Sequence, residues 1–110
     1  MPYIAPKDRA KLDPLIDQLA ERIVEEAKEY KYDGAFAGLL NYTATRLALK
    51  IVRLQFGKMR YWIIAAVCGT FSNVADEFYR RVAHPYEDKQ IIKNEDVDLY
   101  KEYSDEIGAM

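Results

Sequence analysis

The stretch AFAGLLNYTATRLALKIVRLQFGKMRYWIIAAVCGTFSNVADEFYRRV, Ala35–Val82, decides the fold. It holds more than half of the bulky apolar residues of the 110-residue chain, and from Gly34 to Ala75 it contains five basic residues and no acid. Phe36, Leu40, Ala44, Leu47, Ile51 and Leu54 recur at steps of three and four, the spacing of one helix face. Leu39, Ala48, Leu49 and Val52 widen that face, so a helix is expected over 35–56. Gly57 stands where a glycine cap with positive φ is expected.

A third helix is expected over 60–83. Its run Ile63-Ile64-Ala65-Ala66-Val67-Cys68 is apolar on every side, the pattern of a segment buried all round, with Cys68 as an inert buried thiol. In a small bundle one covering side is then expected to come from another subunit, so a homo-oligomer through the third helix is anticipated. Ala65, Gly69 and Asn73, four residues apart, would admit a close backbone. Pro85 should end this helix, because its ring clashes with the preceding turn and disfavours helix at His84.

Outward toward the N-terminus, Tyr3–Pro6 reads as an extended arm, with Pro6 able to open a turn that lasts through Leu12. Asp13-Pro14 reads as a helix start, with Asp as cap and Pro at a position that needs no donor. Ile16, Leu19, Ile23, Ala27 and Tyr30 form the apolar stripe of a helix over 14–31, which Asp33-Gly34 breaks. Toward the C-terminus, Pro85-Tyr86-Glu87-Asp88 opens a short helix reaching about Lys93. Leu99, Tyr100, Tyr103 and Ile107 give a weak stripe, so the tail is a marginal helix or disordered. The expected fold is therefore all-α: an antiparallel helical bundle of three main helices (14–31, 35–56, 60–83) plus one or two short C-terminal ones. Residues 1–98 form a single domain, and 99–110 are an acidic extension.

The net charge of −2 hides a segregation: residues 1–33 carry a net −2, 34–83 a net +5 and 84–110 a net −5. Pairing between segments is the simplest consequence. A duplex nucleic-acid partner is disfavoured, since that role calls for a strongly basic domain. The single cysteine excludes a disulfide framework or thiolate metal cluster. The apolar window Tyr61–Phe71 is far shorter than a bilayer span, and the N-terminus has no signal-type apolar core, so no membrane association and a cytoplasmic location are expected. Nine tyrosines among fourteen aromatics suit half-buried seams and ligand walls.

Three constellations could carry chemistry. Tyr42, Arg46, Lys50 and Arg53 share one face of the second helix, where three cations could hold a phosphate or nucleotide while Tyr42 stacks on a base. The competing reading pairs them with Asp17, Glu21 and Glu25, or with the acidic tail. In the second constellation, Asp76–Arg80 and Glu77–Arg81 are acid-before-base pairs four apart, read as two intrahelical ion pairs. Alternatively Arg80 and Arg81, with Tyr79, Tyr86 and Lys89, make a polar site at the helix end. The lone histidine, His84, reads as structural. Third, Glu25-Glu26-Ala27-Lys28-Glu29 matches the Glu-Glu-x-x-Glu element with which all-helical nucleoside-triphosphate pyrophosphohydrolases hold Mg²⁺. The companion Glu-x-x-Asp element is missing from the next two helices and occurs only at Glu95–Asp98 and Glu102–Asp105.

Leu40-Asn41-Tyr42-Thr43-Ala44-Thr45-Arg46, and Glu77-Phe78-Tyr79-Arg80-Arg81-Val82-Ala83-His84-Pro85-Tyr86-Glu87-Asp88-Lys89, resemble a family of short uncharacterised proteins of prokaryotes and their phages. Met-Pro-Tyr-Ile at the start, Arg9, Leu12–Ile16, Gly69, Asn94 and Asp96-Val97 fit the same pattern, so the resemblance spans most of 1–97. Glu95 departs from it, standing where the family usually has glycine, and 98–110 run past the usual end. The resemblance implies no activity. The expectation is a non-enzymatic, oligomeric helical binding protein for an anionic ligand such as a nucleotide, without a cofactor; in a phage setting, sequestering a nucleotide signal is one such role. The alternatives are a Mg²⁺-dependent pyrophosphohydrolase through Glu25, Glu26 and Glu29, and a purely structural or protein-interaction module.

Overall fold

A computed structural model describes residues 2–110. Among them every regular element is helical: α1 (Pro6–Ala27), α2 (Ala35–Phe56), α3 (Tyr61–Phe78), a π-helical turn (Tyr79–Ala83), α4 (His84–Asn94) and α5 (Asp98–Ala109). Contacts group the chain into two compact units, one up to Thr70 and one from Phe71 onward, each described by itself below. No described helix is long and apolar enough to cross a membrane.

In the first unit, α1 starts earlier than its sequence suggests. Pro6 takes the first-turn position, Ala5 precedes it without a side-chain cap, and the helix runs through Asp13-Pro14 instead of beginning there. Pro6 fits because the donor it lacks has no helical partner in the first turn. Pro14 is in the interior and forfeits a rung there. The Arg9 Nε donates to the Ile4 carbonyl at 2.8 Å, tying the N-terminal arm to the first turn. At its other end α1 stops at Ala27, short of the expected 31, where bonds from Glu29 and Tyr30 to carbonyls only three residues back tighten the chain into the turn.

The α2 boundaries match the sequence reading. Gly57, directly after its last residue, has φ 79° and donates its N–H to the Arg53 carbonyl, closing the helix with a backbone that disfavours a side chain. Thr43 and Thr45 satisfy their hydroxyls on the carbonyls of Leu39 and Asn41, each at 2.7 Å. The packed side of α2 differs from expectation. Ala35 and Val52 are buried and Leu39, Thr43, Ala44, Ala48 and Phe56 half-buried, so of the expected stripe only Ala44 is partly covered, whereas Phe36, Leu40, Leu47, Ile51 and Leu54 are exposed. Most of the packed set is small: Ala35, Ala44, Ala48 and Val52 let a neighbour approach closely, Leu39 and Phe56 add bulk at the two ends, and Leu40, Leu47 and Leu54 stay exposed. α1 and α2 pack as a helical hairpin, with Ile23 and Ala27 the half-buried residues near the turn on the α1 side. Ile63, 2% exposed, completes this small core, next to an edge-to-face contact of Phe56 and Trp62 at 5.2 Å. Burying a Val or Ile side chain contributes about 2 kcal/mol.

Within one chain Ile63–Cys68 is not covered all round: Ile63 is buried, while Ile64 and Cys68 are exposed.

In the second unit, Pro85 does not end a helix. His84 donates its backbone N–H to the Tyr79 carbonyl five residues back, and helix continues from the π turn into α4. A regular turn would bring the Arg81 carbonyl against the proline ring; the wider five-residue turn relieves that clash at the position where Pro85 has no proton to donate. The same turn sets the rings of Tyr79 and His84 edge to face at 5.1 Å. The tail is helical as α5. Between α4 and α5, Glu95 has φ 68° and ψ 153°, a conformation almost confined to glycine. The residue that departs from the expected glycine is thus the one that carries backbone strain. None of the residues 71–110 is buried.

Candidate functional site

The first-unit cluster forms a cleft of about 470 Å³ along the C-terminal half of α2 and the connection that follows it. Three residues of the sequence-derived face supply cations, Arg46, Lys50 and Arg53, and Lys58 adds a fourth from just beyond Gly57. Tyr42 stands at one end, 65% exposed, and Leu49, Val52 and Met59 provide apolar lining. No carboxylate lines the cleft.

Pairing with acids of α1 is not what the geometry shows. Glu25 and Glu26 both bond Arg22 on their own helix at 3.1 Å, and among the described residues Arg46, Lys50 and Lys58 have no ion pair. Those exposed α1 pairs contribute no more than about 1 kcal/mol each. Arg53 donates one Nη1 proton to the Gly57 carbonyl at 2.7 Å. This spends one of its five donors on the negative end of the α2 dipole, which would otherwise repel an anion.

Lys58 and Met59 escape a reading based on one helix face, because they follow the helix end. The signal was Gly57: a chain that reverses there brings the next residues back beside the last turn of α2.

The second-unit cluster is less well gathered. Arg80 forks onto Glu77, with Nη2 at 2.6 Å from Oε1 and Nε at 3.3 Å from Oε2. This bidentate pair three residues apart replaces the expected four-residue pairs Asp76–Arg80 and Glu77–Arg81, because one guanidinium edge meets both oxygens of a half-buried carboxylate. Arg81, Tyr86 and Lys89 are exposed on the continuous helix, so no helix end assembles them. The eight candidate residues thus divide into Tyr42, Arg46, Lys50 and Arg53 around a cleft in the first unit, and Arg80, Arg81, Tyr86 and Lys89 in the second.

The Glu25-Glu26-Ala27-Lys28-Glu29 element does not present three carboxylates from one helix. The helix ends at Ala27, Glu25 and Glu26 are held by Arg22, and Glu29 lies in the turn. Among the described residues, no three His, Cys, Asp or Glu side chains are grouped to hold a metal ion.

No curated protein matches the chain, and no solved structure does. One family model does, over residues 1–97, leaving α5 just outside the match. The chain belongs to that family, the domain of unknown function DUF6899.

Proposed function

We propose that the chain is a non-enzymatic helical binding module whose α2 cleft takes a small phosphate-bearing anion, with a nucleotide as the best fit. The observation that carries this reading is the convergence of Arg46, Lys50, Arg53 and Lys58 on one cleft without a carboxylate in its wall. Cations held together without counter-charge repel one another, and an anion relieves that repulsion while accepting charge-assisted hydrogen bonds. Tyr42 and the apolar lining offer a base or other flat group a stacking surface. The volume is in the range of small-ligand sites. The antiparallel three-helix bundle belongs to this proposal as its scaffold: the α1–α2 hairpin supplies two of its helices, and the start of α3 is its third member. Sequestration of a nucleotide, in a cell or by a phage, needs only this binding.

The test is calorimetric titration of the full chain with pyrophosphate and a panel of nucleoside mono-, di- and triphosphates and cyclic nucleotides. Saturable binding that weakens with salt and is lost in Arg46→Glu/Arg53→Glu supports the reading. Binding unchanged by the double reversal, or no binding across the panel, sinks it.

A further inference from the structure

The face of α2 away from the cleft has a pattern of its own. Leu40, Leu47 and Leu54 fall at exact seven-residue intervals, and Ala37, Ala44 and Ile51 interleave in the four–three alternation of a coiled-coil seam. The three leucines are 55%, 54% and 75% exposed, and Ile51 and Phe36 beside them are half exposed or more. Neither acid nor base occupies a seam position.

We infer that this seam is the contact between two copies of the chain, paired α2 against α2. Leucine recurs at one seam position; the other holds Ala37, Ala44 and Ile51, so the β-branched residue that with leucine favours two-stranded pairing occurs at Ile51, and the alanines let two helices approach closely. Within the first unit the seam is open along most of its length: Ala44 is half-buried and Leu47 borders Leu19 of α1, but Leu40, Leu47, Ile51 and Leu54 are each half exposed or more. The area is sufficient. Five side chains about half exposed offer roughly 100 Å² each, so two copies bury about 1,000 Å² before flanking atoms are counted, the level a specific interface needs. A partner of different sequence would need a matching heptad; a second copy has one by construction.

This pairing moves the subunit contact from α3, where the apolar run Ile63–Cys68 places it, to α2. It is also compatible with an occupied cleft. At 100° per residue, Leu49 lies roughly 140–160° and Arg53 roughly 100–120° around the helix from Leu47 and Leu54, while Lys50, about 40–60° away, borders the seam. The inference does not rest on the anion reading, and either can fail alone.

The experiment has two parts, both on the full chain without added ligand. Sedimentation velocity of the unaltered protein and of Leu47→Lys, with circular dichroism alongside, reads assembly and helicity together. The expected result is an oligomer for the former and a dissociation constant raised about 100-fold or more for the latter. Because Leu47→Lys could also unfold a chain that depends on its partner, the second part uses oxidative cross-linking in a Cys68→Ser background. Leu47→Cys is expected to give a covalent dimer within minutes, and Glu21→Cys, on the exposed side of α1, to give none. A monomeric unaltered protein overturns the inference. So does cross-linking through the native Cys68 on α3 with none through Leu47→Cys.

Discussion

The two sides of α2 are made from different chemistry and face different tasks. On one side Tyr42, Arg46, Lys50 and Arg53 surround a cleft with positive charge and an aromatic ring. On the other, Leu40, Leu47, Ile51 and Leu54 expose an uncharged aliphatic seam at heptad spacing. Small residues, Ala35, Ala48 and Val52, fill the ground where the helix packs within its own unit. Large side chains on a helix are normally the buried ones. Here the two fully buried residues of α2 are Ala35 and Val52, while Leu40, Leu47, Ile51 and Leu54 are half exposed or more, which is why we assign them to a contact outside the hairpin. The comparison teaches that the apolar stripe most conspicuous in sequence can belong to an interface.

Substitutions on one side should leave the other intact, which gives the comparison its sharpest tests. The largest effect is expected from Leu47→Lys, which places a charge in the seam and should shift the oligomer to smaller species in sedimentation at micromolar protein. Next comes Arg46→Glu/Arg53→Glu, with anion affinity lowered about 100-fold or more in calorimetry, since two charge-assisted contacts become repulsive. The sedimentation profile of that variant should match the unaltered protein; a change in both would mean that the two sides are not separate. Tyr42→Ala should weaken a nucleotide about tenfold and pyrophosphate hardly at all, because a stacking contact serves only the ligand that has a base.

Two backbone predictions sharpen the frame that holds both sides. Gly57→Ala forces a side chain onto φ 79° at the turn that delivers Lys58, and should cost about 1 kcal/mol in urea unfolding, with weaker anion binding as well. Glu95→Gly should do the opposite, raising stability by about 1 kcal/mol by relieving the strained link between α4 and α5. An unchanged midpoint would show that the strain is not carried in solution.

Much of the helical content was legible because periodicity and capping are local. α2 was bounded correctly by the Asp33-Gly34 turn and Gly57, and the Tyr42–Arg53 cluster followed from steps of three and four on that helix. The misses had tertiary or compensating causes. Asp13-Pro14 carries a start signal, yet Pro6 had already opened the helix, so the signal was spent in an interior. Pro85 carries a stop signal, yet a π turn moves the clashing carbonyl and the helix continues; nothing in local propensity announces a five-residue bond. The packed side of α2 was misread because hydrophobic periodicity identifies an apolar stripe without saying which neighbour covers it. Lys58 was missed because it joins the site through the reversal at Gly57.

Native mass spectrometry of the freshly purified full chain tests the central claim most directly, since it reports assembly and a retained ligand in one spectrum. The account predicts an even multiple of the 12.8 kDa chain carrying an added small-molecule mass that disappears in Arg46→Glu/Arg53→Glu while the multiple is kept. A bare monomer, or an added mass indifferent to that substitution, would contradict it.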